Sequence, residues 1–213
     1  MSKFVNQHRT LLGYSIVAAA VIALVTAGAA MAGKGTSKPE LPGPDNVQEC
    51  PHDDEATFLV EGLGTFEVVL GGSVVARTGE AYFDGGLKTI PIDILGTASR
   101  DYIDGIGEVT VTLDRSRPVK GSQIQERAVG TEFPASQHMR FHILVELEAR
   151  PGIVYRSIQP IHMVSDNVTA FPPADGTSYR LVQPIDLEDV DQPGIVAARL
   201  LKGAPTIFGA KAG

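Results

Sequence analysis

Residues 139–163 read MRFHILVELEARPGIVYRSIQPIHM, and the alternation in this stretch decides the fold class. Met139, Phe141, Ile143, Val145 and Leu147 fall at alternate positions, and Arg140, His142, Glu146 and Glu148 occupy the opposite parity. Successive strand side chains point to opposite faces, so one face is apolar and the other mostly charged. That is a half-buried strand of an antiparallel sheet. Arg150-Pro151-Gly152-Ile153 follows. Proline presets φ at the second position of a type II turn and glycine takes the positive φ of the third. The apolar run Ile153–Ile158 then folds back beside the first strand. This hairpin is expected to be the centre of an all-β domain.

The same reading extends in both directions. Thr65–Leu70 and Ser73–Arg77 flank Gly71-Gly72, which predicts a tight hairpin at the glycine pair. Asp84-Gly85 separates Ala81–Phe83 from Leu87–Leu95 as another. Asp104-Gly105 precedes Glu108–Asp114, where Val109, Val111 and Leu113 share a face. Arg115–Arg127 reads as a polar connection with an edge strand at Gln123–Arg127. Asp175-Gly176 and Gln192-Pro193-Gly194 set off the last strands, Tyr179–Leu187 and Ile195–Lys202. Pro91, Pro160 and Pro184 each precede an isoleucine, and a residue that cannot donate to a ladder belongs at strand starts or edges. About ten strands and no 3.6-residue period predict a mainly antiparallel, Greek-key-like β-sandwich.

The 23 glycines and 14 prolines sit mainly between apolar runs, which suits short strands and turns. Tryptophan is absent and aromatics are 6%, so the core is built from Val, Ile, Leu and a few Phe and Tyr. The formal net charge is −7. Residues 1–32 hold Lys3 and Arg9 and no acid, so the remainder carries 16 bases against 25 acids, a net of −9. Phosphate backbones repel such a domain, which argues against nucleic-acid partners. Cys50 is the single cysteine, so no internal disulfide exists; a lone cysteine in a secreted chain is a free thiol or an intermolecular bridge.

A basic start with Lys3 and Arg9, an uncharged apolar run over residues 11–32 and Ala30-Met31-Ala32 before Gly33 form a secretory signal pattern. The run is also about as long as the ~20 residues that span a bilayer, so an uncleaved membrane anchor is the alternative. Either way residues 33–213 lie outside the cytoplasm of a bacterial host, periplasmic or secreted. The expected organisation is a signal or anchor helix at 1–32, a flexible acidic linker at 33–56, a β-sandwich at 57–203 and a tail at 204–213.

Gln48-Glu49-Cys50-Pro51-His52-Asp53-Asp54-Glu55 crowds metal-capable side chains together, with Cys50 and His52 as soft ligands and Asp53 as a hard one. A solvated acidic linker requires the same residues, and no second cysteine completes a zinc pattern. Asp101 with Asp104, or Asp186 and Glu188 with Asp189 and Asp191, offer oxygens for calcium but lack EF-hand spacing. His138 and His142 form an HxxxH, yet on a strand four residues span ~13 Å, too far to share one ion. His138-Met139 and His162-Met163 suggest copper, but strand neighbours face opposite ways. Glu146 and Glu148 are candidate paired carboxylates for sugar hydrolysis, or simply a wet sheet face. Arg115, Arg117, Lys120 and Arg127 are the main basic concentration, a polyanion patch or an exposed connection. Ser165-Asp166-Asn167 lacks its β-lactamase partners, and no GxSxG or dinucleotide fingerprint occurs. No cofactor is implied.

From Glu108 onward the order TVTLDRSRPVKG, FPAS and MRFHILVELE resembles a group of secreted bacterial β domains with no assigned function. Arg117, Pro118, Gly121, Phe133, Pro134 and Ala135 carry that resemblance. It covers about half the chain, and it implies a β fold and no catalytic residues.

The expected function is a non-enzymatic structural or binding module of the cell envelope or extracellular space, with an envelope or extracellular partner. The alternatives are a secreted carboxylate-dependent hydrolase or sugar-active enzyme and a calcium- or copper-dependent module. A cleft gathering His142 with Glu146 or His162 would favour the enzyme.

Overall fold

A computed structural model describes residues 39–212. These residues form fourteen antiparallel strands in one sheet, and no helix occurs among them. In chain order the strands are β1 (Val47–Val60), β2 (Gly64–Thr78), β3 (Tyr82–Asp84), β4 (Leu87–Ile103), β5 (Gly107–Leu113), β6 (Ser122–Ala128) and β7 (Thr131–Phe141). Then come β8 (Ile143–Leu147), β9 (Val154–Ser157), β10 (Ile161–Val168), β11 (Arg180–Leu181), β12 (Ile185–Asp189), β13 (Val196–Ile207) and β14 (Lys211–Ala212).

The sheet closes on itself. Pairing runs from β4 through β2, β1, β13, β12, β9, β8 and β5, and β5 pairs with β4 again. β4 makes this closure because it is long enough for two partners on one side. Its first half pairs with β6 and its second half with β5. The same division continues around the wall: β7 pairs with β6 and β10, while β8 pairs with β5 and β9. The staves are therefore β1, β2, β4, β5 with β6, β7 with β8, β9 with β10, β11 with β12, and β13. Residues 176–179 bond to Pro205 and Ile207 of β13, which carries the wall past the short β11.

The two-sheet sandwich expected from the sequence is thus a barrel with one continuous wall. One-sided burial is common to both architectures, so alternation alone does not separate them. The central prediction holds: Met139, Phe141, Ile143, Val145 and Leu147 are all buried, and Arg150-Pro151-Gly152 turns the chain from β8 into β9. There Ile153 N–H donates to Arg150 O at 3.1 Å and Gly152 has φ +84.

Gly71-Gly72 is no hairpin. Both lie inside β2, opposite Asp53 and His52 of β1, and the chain reverses instead at Glu61–Leu63. Val47–Val60 is the first stave, so residues 47–56 of the linker expected at 33–56 are wall, and Ala204–Ile207 of the expected tail completes β13. Gln123–Arg127, expected at an edge, lies within β6 between β4 and β7. The signal or anchor helix at 1–32 and residues 33–38 lie outside the described residues. Among the described residues no helix is long and apolar enough to cross a membrane.

Two apolar clusters pack inside the barrel. Leu41, Ala76, Ile90, Ile92, Ile124, Ala135 and Val168 pack at the end where β1 begins. Phe58, Val60, Val68, Val109, Val145, Leu147, Tyr155 and Leu187 belong to the larger cluster toward the other end. Ile94 touches both.

Candidate functional site

A cavity lies inside the barrel where these two clusters meet. Its volume is about 50 Å³, room for several waters. Its apolar lining includes Ala56, Phe58, Leu70, Val74, Met139, Phe141, Ile143, Ile161, Met163, Leu200 and Ile207. The strand period of two positions them: Gln48, Cys50, His52, Asp54, Ala56 and Phe58 all line it from β1. Ten residues of strand at ~3.3 Å each and a tilt near ~40° give a lined height of about 25 Å.

Its polar groups form a band along β1. His52 is 5% exposed; its Nε2 lies 3.1 Å from Ser99 Oγ and its Nδ1 3.4 Å from Cys50 O. Burial lowers the His52 pKa, which keeps the ring neutral. Asp54 accepts the Ala204 N–H at 2.7 Å, and burial pushes its carboxyl up to about 6. Cys50 is buried, and burial pushes its thiol up to about 12. Tyr179 donates its O–H to Gln137 Oε1 at 2.8 Å, and burial raises its pKa as well. Gln48 is 1% exposed, and its Oε1 has no hydrogen-bond partner. No lysine or arginine lines the cavity among the described residues.

Gly72 lets this band form. A Cβ there would lie 2.3 Å from Ala98 O and 2.4 Å from Ser99 Oγ. The bare backbone of β2 lets β4 bring Ser99 up to His52.

The metal candidates are dispersed. Cys50 and His52 face the interior, whereas Asp53 is exposed on the outside. Asp186 Oδ1 pairs with Arg199 Nε at 2.5 Å, and Glu188 Oε1 pairs with Arg156 at 2.7 Å. Among the described residues no three His, Cys, Asp or Glu side chains gather to hold an ion. Cys50, the candidate for a bridge to another chain, is buried and faces the barrel interior.

The enzyme candidates do not converge either. His142, expected on the wet face, is buried: its Nδ1 lies 2.9 Å from Ser157 Oγ and 3.0 Å from Ser157 O. The connection after β5 covers it. Asp114 N–H donates to His142 O at 2.9 Å, and Arg117 donates to Ser157 O at 2.8 Å and Ile158 O at 3.0 Å. Arg117, expected in a basic patch, is therefore part of a polar seam where β7 gives way to β8. Glu146 and Glu148 are exposed on the outer wall. His162 Nε2 lies 3.0 Å from His138 Nδ1, a pair across β7 and β10. Nearby Arg140 and Arg180 lower both histidines further, after burial as the first cause.

The sequence reading missed the cavity, although its residues carry a signal. Gln48, Cys50, His52 and Asp54 alternate with Glu49, Pro51, Asp53 and Glu55. That is a period of two with polar groups on both faces, which an acidic linker also shows.

No protein-family model and no curated protein matches the chain. A solved structure, that of DynF from the dynemicin biosynthesis pathway of Micromonospora chersina, is similar to it. The TM-score is 0.63 at 20% identity, covering 84% of this chain and 92% of that one. At that identity the likeness concerns the fold alone.

Proposed function

We propose that this protein is an exported, non-enzymatic binding module whose barrel interior holds one slender, mainly apolar molecule. The single observation that carries this reading is the cavity itself, with its apolar walls and a polar band on β1. Small closed barrels either fill their interior with side chains or keep room for one small ligand, and this one keeps room. Export is supported by the basic start, the apolar run and Ala30-Met31-Ala32. Burial of an alkyl chain against such walls releases ~0.8 kcal/mol per methylene, so even a short chain suffices for measurable affinity.

The test uses the methionine methyl groups as reporters. Met139 and Met163 line the cavity. Titration of 1-octanol into protein with ¹³C-labelled methionine methyls should shift the signals of these two residues and saturate at one molecule per chain. Absence of a saturable shift at Met139 and Met163 refutes the reading.

A further inference from the structure

We propose that the molecule held in the barrel is uncharged and carries a hydrogen-bond donor, such as a hydroxyl, that it presents to Gln48. This rests on the reading of the cavity as a binding site and specifies the chemistry of what binds there.

The donors and acceptors that face the cavity do not balance. Tyr179 O–H is already given to Gln137, and the His52 ring and Ser99 hydroxyl share one contact. Asp54 already takes the Ala204 N–H. Gln48 Oε1 stands apart: it belongs to a residue only 1% exposed, it lines the cavity, and nothing donates to it. Leaving a buried acceptor unpaired is costly, and more than nine in ten such groups in folded proteins have a partner. A donor arriving with the ligand supplies it. A hydroxyl suits the position, since it donates one hydrogen and keeps lone pairs for neighbours.

Charge is excluded from both directions. A carboxylate needs a cation or several donors when buried, and no lysine or arginine lines the cavity among the described residues. The Asp54 carboxylate, on the same strand, repels it. An ammonium must shed its water into largely apolar walls, with Asp54 the single carboxylate on the lining and that group already hydrogen-bonded.

Four probes of one size separate the claims: 1-octanol, heptyl methyl ether, octanoate and octylamine, titrated calorimetrically at pH 7 into the full chain. The ether matches the alcohol in heavy atoms but has no donor. We expect the alcohol to bind roughly tenfold more tightly than the ether, as one hydrogen bond to a buried acceptor implies. Octanoate and octylamine should bind more weakly than the alcohol. Gln48→Leu should erase the gap between alcohol and ether, and Gln48→Met serves the same purpose if the leucine variant misfolds. Equal binding of ether and alcohol overturns the donor requirement, and tightest binding by octanoate or octylamine overturns the charge claim. A gap that survives in a folded Gln48 variant overturns the assignment to Gln48. If none of the four binds, the cavity is not a binding site and both readings fall.

Discussion

Replacing Gly72 with alanine tests the closed wall and the polar band together. Gly72 sits opposite His52 within β2, and its added Cβ would lie 2.3 Å from Ala98 O, 2.4 Å from Ser99 Oγ and 2.6 Å from Ser99 Cα. Two of those atoms are backbone, so no rotamer change relieves the overlap and β4 must move. Overpacking of this kind costs about 3 kcal/mol. At ~2–4 °C per kcal/mol for a chain this long, the melting temperature should fall by roughly 6–12 °C. Gly71→Ala is the control. Its Cβ would meet only Asp53 Oδ1, at 3.6 Å, so the change mainly restricts the unfolded chain. That gains about 0.4–1 kcal/mol and should raise the melting temperature by roughly 1–4 °C. Thermal melts followed by far-ultraviolet circular dichroism measure both. A tight turn at Gly71-Gly72 requires positive φ at Gly71 in either hairpin turn type, so Gly71→Ala would then be destabilising. Similar losses for the two variants, or a neutral Gly72→Ala, would refute the in-register path of β2.

Three further expectations concern the interior. Gln48→Leu removes an unpaired buried acceptor while keeping the volume, so the empty protein should become more stable by about 1 kcal/mol in urea denaturation; a loss of that size would show that Oε1 has a partner. Asp54 titrates near 6 in the folded barrel and near 3.8 when unfolded, so its charge costs nothing below about pH 4 and most above about pH 6. Asp54→Asn should therefore gain stability over the parent as pH rises from 4 to 6, reaching about 3 kcal/mol, and a difference flat across that window would contradict the burial of Asp54. Cys50, with its thiol pushed up to about 12 and enclosed, should react with Ellman's reagent only after denaturant is added, then at one thiol per chain. Rapid reaction of the native protein would place that sulfur at the surface.

Local conformation was legible in the residues alone. Alternation from Met139 to Leu147 specified a strand with one buried face, because side chains of an extended chain diverge at every residue. Arg150-Pro151-Gly152 specified a reversal, because only glycine takes its φ of +84 without strain. Which strands become neighbours was decided by long-range pairing alone. β1 meets β13 across nearly the whole domain, and β4 divides its length between β5 and β6. Hydrogen bonds between strands carry no side-chain signature, so a sandwich and a barrel share one alternation pattern. The same fact explains the misread glycines: Gly71-Gly72 suits a turn locally, but the close approach of Ser99 makes it the thin part of a wall. It also explains the site. Gln48, Cys50, His52 and Asp54 resemble a hydrated acidic segment until β2, β4 and β13 close around them. Enclosure then changes their chemistry, since burial shifts the Cys50, His52 and Asp54 equilibria toward their neutral forms.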